Sequence, residues 1–184
     1  MYHDTIIAGF GGQGIMLIGN LLAYSAMKEG RNVTYMPAYG VEMRGGTANC
    51  TIVISDGPIG SPIIGFPMSA VVMNGPSLTR FGPKVKDGGH LLINSSLIDE
   101  KVEGRPDLKQ IRVPANDIAG DLGNDKMANM VIFGSFLALS KLLDAKSIYD
   151  SLAKVLDERY HHMISKNIEM IEAGIEFAKD GSLV

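Results

Sequence analysis

Thr5-Ile6-Ile7-Ala8-Gly9-Phe10-Gly11-Gly12-Gln13-Gly14-Ile15-Met16-Leu17-Ile18-Gly19-Asn20-Leu21-Leu22-Ala23 reads as a strand, a glycine turn and a helix. Gly9, Gly11 and Gly14 have the spacing of the dinucleotide fingerprint. In that fingerprint one glycine permits the tight turn, one lets a phosphate approach the backbone, and one allows close packing of helix on strand. The N–H groups exposed at the start of such a helix attract an anion.

Outward from this stretch, the first strand covers residues 4–8 and the first helix runs from Gly14 to about Glu29. Gly30 follows where a left-handed cap is wanted. Residues 32–36 read as a second strand, expected parallel to the first through a right-handed crossover. The pattern then changes. Residues 37–46 form a loop carrying Pro37, Tyr39, Glu42, Arg44 and three glycines. Residues 47–54 are β-branched and apolar, Asp56-Gly57 signals a turn, and residues 58–64 read as a returning partner strand. This is an antiparallel excursion rather than another βα unit.

Short strands are expected at 70–73, 90–94 and 110–113, with a brief helix at 76–81. Residues 126–143 form a helix apolar nearly all round, which needs cover from the sheet or from another chain. Such apolar surface predicts that the isolated chain self-associates. Ile148, Leu152, Val155 and Leu156 mark one amphipathic face, and Ile164, Ile168, Ile171, Ile175 and Ala178 another. The expected fold is one α/β domain over residues 1–184, three-layer α/β/α, with a mixed Rossmann-like sheet and a helical C-terminal part.

Composition narrows the function. The net charge of -3, without a Lys/Arg cluster, argues against nucleic acid as partner. The uncharged stretch between Lys126 and Lys141 is too short, and too interrupted by Asn129, Ser135 and Ser140, to span a bilayer. No signal sequence opens the chain, so the expected location is the cytoplasm. Cys50 is the single cysteine, which rules out an intrachain disulfide and a cysteine-ligated iron–sulfur cluster; it reads as a small buried strand residue.

A nicotinamide site wants an acid at the end of the second strand to hold the ribose hydroxyls. This strand ends Tyr35-Met36-Pro37, without Asp, Glu or Arg. The glycine turn is therefore a structural crossover, a cradle for another phosphate-bearing ligand, or a partner-facing loop. In Tyr39-Gly40-Val41-Glu42-Met43-Arg44-Gly45-Gly46, an Arg between glycines can approach a phosphate or carboxylate with both prongs, or pair with Glu42 at the surface. His3, His90, His161 and His162 lack metal-ligand spacing. Asp117, Asp121 and Asp125 read as helix caps or solvated acids, and Asn129 as a cap that can also face a ligand.

Gly9-Phe10-Gly11-Gly12-Gln13-Gly14 joined to Tyr39-Gly40-Val41-Glu42-Met43-Arg44-Gly45-Gly46-Thr47-Ala48-Asn49-Cys50 resembles the gamma subunit of the 2-oxoacid:ferredoxin oxidoreductases, with the 2-oxoglutarate and branched-chain members matching best. The resemblance implies one part of a multisubunit enzyme. That enzyme turns a 2-oxoacid, coenzyme A and oxidised ferredoxin into acyl-CoA, carbon dioxide and reduced ferredoxin. It implies thiamine diphosphate with magnesium on alpha and beta subunits, iron–sulfur clusters on beta or delta subunits, and a gamma subunit concerned with coenzyme A access and assembly. Carried onto this chain, Gly9, Gly11, Gly12, Gln13 and Gly14 form the cradle. Arg44 supplies positive charge, Glu42 orients it, and Tyr39 packs at the crevice wall. The alternatives are the small subunit of an indolepyruvate oxidoreductase, a stand-alone nucleotide-binding oxidoreductase, and a purely structural assembly subunit.

Overall fold

β1 (Tyr2–Phe10) is the inner strand on which the molecule is organised. The computed structural model of the chain describes residues 1–40 and 46–180. Around β1 lie β2 (Asn32–Tyr39), β3 (Thr47–Ser55), β4 (Ser69–Val72), β5 (His90–Asn94) and β6 (Lys109–Val113), in the sheet order β2-β3-β1-β4-β5-β6. β1, β4, β5 and β6 are parallel, whereas β3 runs antiparallel to β1 and β2 antiparallel to β3. The helices are α1 (Ile15–Lys28), α2 (Gly75–Phe81), α3 (Ala115–Asp121), α4 (Ala128–Ser140), α5 (Ala145–Val155) and α6 (Ile164–Lys179).

The sheet corrects the expected order at one edge. β2 points the same way as β1 but does not pair with it, because β3 is inserted between them. β2 also runs on through Pro37 to Tyr39, where a loop was expected. As the edge strand it has one unpaired side and tolerates a residue without an N–H. Residues 58–64 form no strand; Pro58 and Pro62 lack donors, and both sides of β3 are already occupied.

Alternation along the strands makes two faces. Ile7, Cys50, Ile52, Val71, Leu92 and Val113 point into one large core with α1, α3, α4, α5 and α6. Ile6, Ala8, Ala70, Val72, Leu91 and Ile93 point the other way, under Leu78 and Phe81 of α2 and the apolar residues Ile98 and Leu108. The three layers are therefore unequal: among the described residues, five α-helices lie on one face and one short α-helix on the other.

α4 is shorter than expected. A 3-10 turn (Asp125–Met127) precedes it, and Lys141 ends it in the left-handed region at φ 51°. Every residue from Ala128 to Leu137 is buried within this chain. The cover that α4 needs comes from the sheet and from α6, so the premise for self-association falls away. α4 and α6 meet backbone to backbone: a methyl group on Gly134 would overlap the Ile171 carbonyl, and one on Gly174 the Val131 carbonyl. The Ser135 hydroxyl completes the seam by donating to the Gly174 carbonyl at 2.9 Å.

Candidate functional site

The carboxyl ends of β1, β4, β5 and β6 share one edge of the sheet, the edge at which open α/β sheets take ligands. The glycine turn sits there between β1 and α1. Its N–H groups are only partly available. Gly11 donates to the Gly46 carbonyl at 3.0 Å, and Gln13 donates to the Phe10 carbonyl at 3.1 Å. Among the described residues, the Gly12 and Gly14 N–H groups have no such partner at the approach to α1.

The glycines divide their work differently from the fingerprint. Gly12 has φ +99° and empty space where a side chain would stand. Gly14, at φ +73°, is covered by the Asn129 amide, which donates to the Gly14 carbonyl at 3.4 Å. Gly9 is flat against Gln13 and Ile15. Close packing of helix on sheet falls to Gly19, where a methyl group would meet the Cys50 sulfur and Tyr35.

The Gln13 side chain acts as a staple. Its Oε1 accepts from the Phe10 N–H at 2.7 Å and from Asn74 Nδ2 at 3.2 Å, and its Nε2 donates to the Met73 carbonyl at 3.3 Å. Asn74 in turn caps α2 by accepting from the Ser77 N–H at 2.9 Å. One side chain thus locks the ends of β1 and β4 and the start of α2 together.

Three depressions meet at Gly12. One of about 260 Å³ runs past Phe10, Gly14 and Leu17 to Tyr39, so the structure brings Tyr39 to the glycine turn. Tyr39 is 71% exposed there. A second, of about 410 Å³, lies between the turn and the start of α4 and is lined by Lys126, Asn129, Met130, Tyr160, Met163 and Asn167. A third, of about 160 Å³, reaches Asn116 and Asp125. A wider depression of about 600 Å³ lies at the opposite pole beside Glu29, Arg31 and Lys179, away from the glycine turn.

Lys126, Tyr160 and Asn167 escaped the sequence reading because no local motif carries them. They come from the turn before α4, a 3-10 turn (Glu158–Met163) and α6. Asn129, readable from sequence either as a cap or as a ligand-facing group, clamps Gly14 and also lines the crevice. Glu42 and Arg44 lie outside the described residues; Gly40 and Gly46 on either side of them sit at the crevice edge, tied to Thr47 and Gly11. Asp117, Asp121 and Asp125 are solvated and none caps a helix by its side chain, Pro114 and Asn124 standing at the N-caps instead.

The geometry also removes the ordinary dinucleotide arrangement. The strand after α1 does not pair with β1, because β3 lies between them, and where its end reaches the glycine turn it brings Tyr39 rather than a ribose acid. Nor does the donor set suit an iron–sulfur cluster. Cys50 is fully buried, and burial pushes its thiol up to about 12. Among the described residues, no three His, Cys, Asp or Glu side chains converge as a metal site.

The fold is a mixed α/β sheet with a glycine turn at its carboxyl edge and, among the described residues, no cluster of metal-ligating side chains. The chain belongs to the pyruvate ferredoxin/flavodoxin oxidoreductase family, which matches residues 4–177. It is 38% identical over 174 residues to the ketoisovalerate oxidoreductase subunit VorA of Methanothermobacter marburgensis, covering 94% of this chain but 36% of that relative. It is 30% identical over 187 residues to the 2-oxoglutarate synthase subunit KorC of Methanothermobacter thermautotrophicus, covering 96% of this chain and 95% of KorC. The fold matches a chain of the 2-oxoglutarate:ferredoxin oxidoreductase from Magnetococcus marinus, solved with 2-oxoglutarate, coenzyme A and succinyl-CoA, at TM-score 0.88 and 19% identity, over all of this chain and 32% of that one. No helix among the described residues is long and apolar enough to cross a membrane.

Proposed function

We propose that this chain is the gamma subunit of a multisubunit 2-oxoacid:ferredoxin oxidoreductase, and that its glycine crevice holds coenzyme A. Full-length similarity to KorC supports the subunit reading, and the coenzyme A bound in the Magnetococcus marinus enzyme supports the choice of ligand. The observation that carries the site is Gly12: left-handed, open, its N–H without a partner among the described residues, just before a 14-residue helix, where three depressions join. Phosphate oxygens approach such a point without steric hindrance and meet the positive end of the helix dipole. Lys126 adds a cation at the crevice, and Arg44, between Gly40 and Gly46 in the sequence, is the second cation of this reading. The wall of Met130, Met163 and Tyr160 suits the less polar parts of the ligand. Thiamine diphosphate, magnesium and the clusters belong to alpha, beta or delta partners in this reading, with ferredoxin as electron acceptor and the cytoplasm as location.

The test is steady-state kinetics of the assembled enzyme with Arg44→Ala and Lys126→Ala. A charge-assisted phosphate contact is worth roughly 1.5–3 kcal/mol, so each variant is expected to raise the apparent coenzyme A constant about 10- to 150-fold. Single-turnover carbon dioxide release should survive, because decarboxylation precedes acyl transfer. Unchanged coenzyme A kinetics in both assembled variants would remove the ligand role from this crevice. Loss of assembly would instead mark these residues as interface.

A further inference from the structure

The pole opposite the crevice carries the other unusual surface of the molecule. Residues 57–79 contain no charged side chain. Within them, residues 58–66 form an irregular loop in which Ile63 is 72% and Phe66 66% exposed. Met1 and Tyr2 stand exposed at the same pole. The loop is anchored at both ends. The Asp56 N–H donates to the Met1 carbonyl at 3.0 Å, the Met68 N–H to Asp4 Oδ1 at 2.6 Å, and the Lys86 N–H to the Pro67 carbonyl at 2.8 Å. Pro58, Pro62 and Pro67 restrict its backbone further. An apolar segment held this way loses little conformational freedom when it is covered. Lack of charge around aromatic and aliphatic side chains is the composition of an interface centre.

The relatives indicate what covers it. In KorC nearly the whole subunit corresponds to this chain, whereas VorA holds the same unit within a chain of which it is 36%. The unit therefore exists both free and joined to a longer polypeptide. Both ends of the described chain lie at the loop's pole. Met1 is tied to Asp56 and through it to Arg31, and Lys179 at the end of α6 lines a depression with Glu29 and Arg31. Both described ends therefore lie away from the glycine turn.

We infer that residues 58–66, with Met1 and Tyr2, form the docking surface for polypeptide of the kind that makes up the rest of VorA. This rests on the gamma-subunit reading but not on the coenzyme A site. The test co-expresses the tagged chain with the polypeptide of its own genome that aligns with the rest of VorA. The double variant Ile63→Asp, Phe66→Asp is compared with Leu97→Asp, an equally drastic change at an exposed apolar residue elsewhere. The wild-type and Leu97 chains should capture the partner in equal stoichiometry, and the double variant about 30-fold or more weakly. The thermal midpoints of the isolated wild-type chain and the double variant should agree, showing that folding is intact. Hydrogen exchange in the complex should be slowed over residues 58–66. Undiminished capture by the double variant, or an unprotected loop in the complex, would overturn the assignment. So would a homodimer of the isolated chain that the double variant abolishes while partner capture persists. Unchanged coenzyme A kinetics in the Arg44 and Lys126 variants would leave this surface untouched.

Discussion

Gly12 and Gly14 share a left-handed backbone and differ in what surrounds them. A side chain at Gly12 has room but the wrong φ; at Gly14 it has the wrong φ and runs into Asn129. Gly12→Ala should therefore cost about 1–2 kcal/mol from backbone strain alone. Gly14→Ala should cost more, because Asn129 must give way and its hydrogen bond to the Gly14 carbonyl is lost. Urea denaturation of the two variants checks the order, and equal losses would mean that Asn129 moves aside freely. At this scale the motif was legible as a set of glycines at the right spacing. What each glycine does was not, because their neighbours Asn129, Cys50 and Tyr35 lie far away in the chain. Gln13 shows the same limit: its partners Met73 and Asn74 are about 60 residues away.

Among the elements, the seam between α4 and α6 depends on glycine where helix propensity would prefer alanine. Replacing Gly174 with alanine gains up to about 1 kcal/mol in an isolated helix. Here the new methyl group collides with the Val131 carbonyl, and overpacking of this kind costs typically ~1–3 kcal/mol. The net expectation is destabilisation, read as a lower thermal midpoint; a higher midpoint would show that the helices separate without penalty. The element list itself was largely readable. β3, β4, β5 and β6 stand within a residue or two of the expected spans, since their apolar runs are short and bounded by turn residues. The insertion of β3 between β1 and β2 was not, because strand order depends on pairings between distant segments. Residues 58–64 read as a strand because their isoleucines carry β propensity, yet both sides of β3 are already taken by β1 and β2.

For the molecule as a whole, stability should follow the protonation of a histidine remote from the crevice. His3 accepts or shares a proton with the Ser69 hydroxyl at 2.8 Å and stands edge-on to Phe136. Burial lowers its imidazole from the ordinary 6.5 to about 4; Asp4 opposes this, while His90 and Lys86 add to it. The unfolded chain therefore takes up this proton first. The His3 contribution is complete above about pH 6.5 and is lost as pH falls through 6.5 toward 4. His3→Gln keeps a hydrogen-bonding group against Ser69 and should flatten the denaturation midpoint across that window. An equally steep loss in the variant would assign the effect elsewhere, with His90, also lowered by burial, the next group to replace. Layer type and the position of the glycine turn at the carboxyl edge were legible because a turn between strand and helix fixes both. The second wall of the crevice was not, since it is assembled from segments more than 100 residues from the turn.

The burial of α4 also sets an order of events during synthesis. α4 is apolar on every side and is complete at Ser140, while α6, which covers one flank, is complete only at Lys179. At 5–20 residues per second the nascent chain carries that uncovered flank for roughly 2–8 s. During that interval the segment is sticky, and a chain cut short before α6 would keep it so. α6 thus closes the burial of α4, and the demand for chaperones should be concentrated between the synthesis of Ser140 and that of Lys179.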